Sequence, residues 1–226
     1  MISGETRLVG LIGDPVSASL SPLMQNAAFA ARGLDWCYVP LGVKADRLED
    51  AVRGLVALGF AGANVTTPHK RAVAHLLGTD VPSVNTLVVT PDGVSATSTD
   101  AAIVGELEFE HAAILGDGGA ADAFAAALPD AARYARRGLW PPDVHDVDLV
   151  VNATSERKEA IVELAAGQTL VDLPYPATAT AHAAAANGAR IVDGLDVLVA
   201  QGAAAFELWT GIPAPVDVMR AAVRSA

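Results

Sequence analysis

Lys70 is one of only three lysines in 226 residues, and its neighbours place it where a proton could be handled. The stretch Gly62-Ala63-Asn64-Val65-Thr66-Thr67-Pro68-His69-Lys70 reads as a strand end, a polar turn and a helix start. Phe60 to Val65 is short, apolar and flanked by glycine, the pattern of a buried strand. Thr67 is the expected helix cap, Pro68 its first-turn residue and Gly78 its stop. A cation in the first turn opposes the helix dipole. That position costs stability and eases loss of a proton near neutral pH, which suits general acid–base work. A solvated surface lysine is the plainer alternative.

Other residue types at suggestive spacings surround this stretch. Ser17, Ser19 and Ser21 form a hydroxyl-rich loop before a helix that Ser21-Pro22 opens. Hydroxyls at a helix N-terminus can seat a carboxylate, while plain capping would need Ser21 and not Ser19. Asn85-Thr86 is a polar pair inside an apolar run, and Asp100 follows Ser98-Thr99 as a helix cap or as an acid–base partner. Gly116-Asp117-Gly118-Gly119-Ala120 follows one strand and opens a helix, as a dinucleotide loop requires. Glycines there let backbone N–H groups approach a pyrophosphate. Arg136-Arg137 comes after the next strand, where guanidiniums could grip a ribose 2′-phosphate or simply face water.

The elements that must position these groups alternate. Strands are expected at 7–12, 36–41, 60–65 and 83–89. Helices are expected from Ser21 to about Arg32, over 46–58 with Leu48, Val52, Leu55 and Val56 on one face, and from Thr67 to Gly78. Pro91-Asp92-Gly93 is a hairpin turn signal, and Ser98-Thr99-Asp100 heads a helix through Ile103, Val104 and Leu107. A second run places strands at 111–115, 132–135, 148–152, 169–173 and 190–192. Helices follow the glycine loop, span 178–187, run from about Leu195 to Leu208, and begin again near Pro215. Trp140-Pro141-Pro142 breaks the chain where a crossover helix belongs. The alternation defines an α/β protein with largely parallel sheets.

Composition narrows the function classes. The chain is 52% hydrophobic and 18% charged, enough apolar content for a full core. A net charge of −11 argues against nucleic acid or an anionic membrane surface as partner. A single cysteine, Cys37, allows no internal disulfide and no cysteine-built metal site, and no metal is expected. No apolar run is long enough to span a bilayer, so a cytoplasmic protein is expected.

Taken together, the motifs resemble the shikimate dehydrogenase family in order along nearly the whole chain. Gly13-Asp14-Pro15-Val16 with Ser19-Leu20-Ser21-Pro22 and Gln25-Asn26 is similar to its substrate-carboxylate loop. Asn64 to Lys70 is similar to its catalytic-lysine motif, and Val84-Asn85-Thr86 and Thr99-Asp100 to two further substrate motifs. Gly116 to Ala120 is similar to its cofactor loop. Asp172, Tyr175-Pro176 and the run from Gly194-Leu195 through Gln201-Gly202 to Gly211 are similar to its C-terminal signature.

The resemblance implies an N-terminal, mainly parallel α/β substrate domain plus a smaller Rossmann-like dinucleotide-binding domain. Residues 1–98 with 201–226 would form the substrate and catalytic domain and 99–200 the NADP-binding one. It implies NADPH-dependent reduction of 3-dehydroshikimate to shikimate, a step of chorismate and aromatic amino acid biosynthesis, by a monomer or homodimer. Lys70 and Asp100 would be the catalytic pair. Ser19, Ser21, Asn64, Thr66, Asn85, Tyr175 and Gln201 would bind substrate. Gly116, Gly118, Gly119, Ala120, Arg136, Arg137, Asn152, Thr154 and Gly194 would bind NADP. A dehydrogenase of quinate or an aminated shikimate, and a ring-acid-binding protein without productive cofactor binding, are the alternatives. The chain departs from the family at Ala18, at Ala101 and at Ser155-Glu156-Arg157, which replaces the usual run beside the nicotinamide. It also lacks a clear Asn-Arg-Thr motif and a helix after Arg137.

Overall fold

The structure, a computed structural model, describes residues 2–226. The chain forms two compact units, one running to Thr99 and taking in Val199–Ala226, the other Asp100–Leu198.

The first unit is built on β1 (Arg7–Gly13), β2 (Trp36–Gly42), β3 (Gly62–Val65), β4 (Thr86–Thr90) and β5 (Gly93–Thr97). Their order in the sheet is β2-β1-β3-β4-β5. β1 runs parallel to β2 and β3, whereas β4 opposes both β3 and β5. Only β4 is therefore reversed, and the Pro91-Asp92-Gly93 turn makes the expected hairpin with Thr90 opposite Gly93. The crossovers carry α1 (Ser21–Ala31), α2 (Leu48–Ala57) and α3 (Lys70–Leu77). The chain returns through α6 (Gly194–Thr210), which begins in the second unit, and ends in α7 (Val216–Arg224). Phe29 of α1 stacks on Phe206 of α6 at 5.4 Å. Trp209 lies against Gly62 and donates its indole N–H to the Leu87 carbonyl at 2.9 Å.

Three local expectations are corrected. Thr67 does not cap α3. The helix starts at Lys70 behind His69, because the Thr66 carbonyl takes the His69 N–H and the Thr67 carbonyl takes the Asp14 N–H. Val56 does not belong to the buried face of α2. Leu48, Val52 and Leu55 fill that stripe and leave Val56 46% exposed. Asp100 heads no α-helix, only a short 3-10 helix at Ala102–Glu106 without a side-chain cap. The Thr99 backbone N–H is drawn back to the sheet by Asn85 instead.

The second unit is a wholly parallel sheet in the order β10-β9-β8-β6-β7. It comprises β6 (Ala112–Leu115), β7 (Ala132–Tyr134), β8 (Leu149–Asn152), β9 (Thr169–Asp172) and β10 (Arg190–Val192). α4 (Gly119–Ala127) and α5 (Ala179–Ala186) serve two crossovers. No helix forms over 135–148 or 153–168. Val144, Val162 and Leu164 from these coil crossovers are buried against the sheet where helix residues would lie. Side chains satisfy their backbone groups, as burial demands. Gln168 donates to the Val144 and Val147 carbonyls at 2.8 and 2.7 Å, and the Tyr134 hydroxyl donates to the Asp143 carbonyl at 2.7 Å.

Candidate active site

In the first unit the polar candidates gather where β1, β3 and β4 meet their loops. The loop after β1 and the loop after β3 are laced together. Thr66 N–H donates to the Ile12 carbonyl at 2.8 Å, and Gly13 has no room for a Cβ beside the Thr66 methyl. His69, 2% exposed, places Nε2 2.7 Å from the Val43 carbonyl and so pins the loop after β2 to the same place. A ring N–H facing a carbonyl must donate, which fixes that tautomer. Lys70 follows as the first residue of α3, half-buried, and its backbone carbonyl accepts the Val84 N–H at 3.2 Å.

Asn64 and Asn85 form the centre of the array. Asn64 donates both amide hydrogens, to the Asn85 carbonyl at 3.0 Å and to Thr86 Oγ1 at 3.1 Å. Its Oδ1 accepts from the Tyr38 hydroxyl at 2.8 Å. Burial pushes the Tyr38 phenol far above its ordinary range, with the Ser21 side chain opposing that rise through a hydrogen bond. Since the phenol's one hydrogen goes to Asn64, Ser21 is the donor to Tyr38. Asn85 Oδ1 takes the Thr99 N–H at 2.7 Å and the Thr86 hydroxyl at 2.8 Å. Its Nδ2 donates to Thr99 Oγ1 at 3.1 Å and to Gln201 Oε1 at 3.3 Å. Gln201 thus reaches the array from α6 across 116 positions of sequence. Both asparagine amides are engaged by the protein, so they act as the frame of the array and offer few unused hydrogen-bonding positions.

Ser21 is the first residue of α1 and Ser19 precedes it, with Ser19 Oγ accepting the Ser21 N–H at 3.2 Å. The hydroxyl that serves this helix end is therefore that of Ser19, the reverse of the plain capping reading. Gln25 of the same helix is fully buried and donates to the Gly202 carbonyl at 2.9 Å. Gln25, His69 and Thr99 fall inside the sequence motifs without a role of their own, and Tyr38 falls in none. Tyr38 and His69 carried one readable signal, a polar tip inside an otherwise apolar or turn segment.

The second unit holds the remaining candidates. Its sheet reverses direction of winding between β6 and β8, the switch point at which open α/β sheets take ligands. Gly116 leaves β6 there with φ 129°, and a Cβ on it would stand 2.9 Å from the Ala153 carbonyl oxygen. Only glycine suits that backbone at that separation. Gly118 caps α4, so Gly119 and Ala120 present its first N–H groups. At the β8 end, Asn152 Oδ1 accepts the Thr154 N–H and hydroxyl at 3.2 and 2.8 Å, and Asn152 Nδ2 donates to Asp172 at 2.7 Å. Asp172, 1% exposed, also accepts from Thr178 at 3.0 Å. Gly194 lets α6 begin in contact with the Leu173 and Pro174 carbonyls, where any Cβ would clash. Tyr175 is half-buried, its carbonyl taken by Arg157 at 2.9 Å. Asp100 is the buried first residue of this unit.

Arg136 and Arg137 are both exposed. Arg136 faces Glu156 at 3.6 Å and lies over the Trp140 ring at 5.8 Å. Arg133, which the sequence did not single out, holds the glycine loop. It donates to the Gly116 carbonyl at 3.1 Å and pairs with Asp122 of α4 at 2.8 Å. Its readable signal was a charge in the middle of an apolar strand.

A parallel, switch-point sheet with a glycine-cradled helix start defines a Rossmann-type unit in this α/β chain. Family models match on either side of it. Residues 11–86 match the shikimate dehydrogenase substrate binding domain and residues 194–224 the shikimate 5′-dehydrogenase C-terminal domain. The chain is 39% identical to the NADP(+) shikimate dehydrogenase of Anaeromyxobacter dehalogenans strain 2CP-1, over 98% of this chain and 97% of that one. A crystal structure of a shikimate dehydrogenase in complex with NADP+ superposes with TM-score 0.87 at 29% identity, covering 100% and 97% of the two chains. The Thermus thermophilus shikimate 5-dehydrogenase, solved with NADP(H) and shikimate, gives 0.83 at 27%, covering 97% and 99%. The chain belongs to the shikimate dehydrogenase family. Its alignment with the Anaeromyxobacter relative runs 270 positions against 226 residues, so at least 44 (270 less 226) aligned positions have no residue here.

Proposed function

We propose that this chain is an NADP-dependent shikimate dehydrogenase that reduces 3-dehydroshikimate to shikimate, a cytoplasmic enzyme acting as monomer or homodimer. The observation that carries the reading is the convergence of Asn64, Asn85, Thr99 and Gln201 in one buried hydrogen-bonded array in the unit that holds Lys70. A polyhydroxylated ring acid needs several hydroxyl and amide partners in fixed positions.

The first unit is the substrate domain. Ser19, Ser21 and Thr66 take the ring carboxylate, with Ser21 turning its hydroxyl from Tyr38 to the substrate. Asn64, Asn85 and Gln201 orient the ring hydroxyls. The second unit is the NADP-binding domain. The Gly116 cradle and the first N–H groups of α4 fit a pyrophosphate, which supports the cofactor reading. Gly118, Gly119, Ala120, Asn152, Thr154 and Gly194 shape that site, Arg136 and Arg137 hold the 2′-phosphate, and Tyr175 stands by the nicotinamide. NADPH, when bound, supplies the hydride.

Lys70 does the work on the proton. As an ammonium it stabilises the negative charge that develops on the carbonyl oxygen and delivers a proton to it, then regains a proton from water, and Asp100 is the second member of the catalytic pair. In the oxidative direction the same lysine accepts the hydroxyl proton. The test is initial rates of the purified chain with shikimate, quinate and each of NADP and NAD. Turnover of shikimate with NADP is expected. A preference for quinate would assign the chain to a related ring acid. Binding of shikimate without turnover by either cofactor would leave only a ring-acid-binding role.

A further inference from the structure

Glu156 sits where two loops of the second unit meet. β7 and β8 flank β6, and Arg136 and Glu156 lie in the loops that leave their carboxyl ends. Contact between these residues therefore joins the loops on either side of the Gly116 cradle. Glu156 Oε1 accepts three backbone N–H groups of its own turn, from Arg157 at 3.0 Å, Lys158 at 2.9 Å and Glu159 at 3.3 Å. Those donors, that of Lys158 foremost, hold the carboxyl below its usual range, so it is an anion at neutral pH. Its other oxygen faces the Arg136 guanidinium at 3.6 Å, beyond hydrogen-bond reach. Backbone N–H groups converging with a guanidinium are the donor set that binds phosphate.

Of the other guanidiniums of this neighbourhood, Arg137 is exposed beside Arg136 and two are held elsewhere. Arg133 is held by Asp122 and the Gly116 carbonyl, and Arg157 by the Tyr175 and Pro176 carbonyls. Arg136 keeps a displaceable partner, with its side chain 64% exposed. We propose that Glu156 is an internal anion that competes with a nucleotide 2′-phosphate for Arg136, and thereby sets the NADP-over-NAD preference of this chain. The proposal rests on the reading of Arg136 as a 2′-phosphate ligand. An exposed pair of this kind is weak, so a dianionic phosphate can displace it, at a cost in affinity for 2′-phosphorylated nucleotides only.

Calorimetry of the full chain with adenosine 2′,5′-bisphosphate and with 5′-AMP tests it. Glu156→Gln keeps an acceptor for the turn and removes the charge. It is expected to tighten the bisphosphate about two- to fivefold and leave 5′-AMP unchanged. In an Arg136→Gln background the same change is expected to have no effect. Glu156→Thr, which keeps a short acceptor, serves should the glutamine variant not fold. Unchanged or weaker bisphosphate binding, or an equal gain for both nucleotides, overturns the proposal while leaving the NADP reading in place. Failure of the unaltered chain to bind either nucleotide overturns the NADP reading and this inference with it.

Discussion

In the first unit each crossover between parallel strands carries a helix, and Asn64, Asn85, Thr99 and Gln201 share one hydrogen-bonded network. In the second, two of four crossovers are coil, and the candidate cofactor groups are backbone cradles, the Asn152–Thr154 pair and exposed arginines. The difference lies in how each site is held. Asn64 and Asn85 are fixed by partners on β2, β4, the Thr99 segment and α6. Arg136 is fixed by one long ion pair and an indole face. The two family models match outside 87–193, and both crossovers without a helix fall inside that stretch. A sheet tolerates that loss when apolar coil residues fill its face and side chains take up the freed carbonyls, as Val144, Leu164 and Gln168 do.

Four changes would break or sharpen this contrast. Lys70→Ala is expected to have the largest effect. It should lower kcat about 10²- to 10⁴-fold while shikimate binding, followed by calorimetry, stays measurable. A kcat near that of the unaltered chain would return Lys70 to an ordinary surface role.

Asn85→Ala comes next. It strands the Thr99 N–H and the Thr86 hydroxyl in a buried site, and each such group costs about 1–3 kcal/mol. The urea midpoint of the first unit should fall by the equivalent of about 2–4 kcal/mol. An unshifted midpoint would mean that the network contributes geometry without stability.

Gly116→Ala probes the stiffest point of the second unit. Positive φ and contact with the Ala153 carbonyl together should cost about 1–3 kcal/mol and weaken nucleotide binding, read by thermal melts and calorimetry. If both stay unchanged, the loop is as pliable as the coil crossovers.

Replacing Arg136 and Arg137 together by Ala should have the smallest effect. A rise of about tenfold in KM for NADP is expected, with KM for NAD and for shikimate unchanged. Equal changes for the two cofactors would show that these arginines do not read the 2′-phosphate.

The alternation of strands and helices was legible because each signal is local. Buried parallel strands are short apolar runs, and Gly59 and Gly78 end α2 and α3 where periodicity stops. The missing crossover helix was legible for the same reason, since Trp140-Pro141-Pro142 cannot continue one. Val56 and Thr67 misled because each has a suitable local propensity, and the choice against them was made by contacts elsewhere. Leu48, Val52 and Leu55 filled the face that Val56 would have shared. The loop after β1 took the Thr67 carbonyl, and the helix began three residues later.

What the sequence by itself determined is the family, the α/β class, and the residue types able to handle a carboxylate, a proton and a pyrophosphate. These are properties of short segments, and a short segment's composition carries them. Only the tertiary structure decided which of those groups are engaged. Asn85 is held by Thr99 and by Gln201, 14 and 116 positions away, and Arg136 by Glu156 from a different loop. A hydrogen bond or ion pair needs its partner within about 3–4 Å. Separation along the chain does not encode that distance, because the packing of strands and helices sets it.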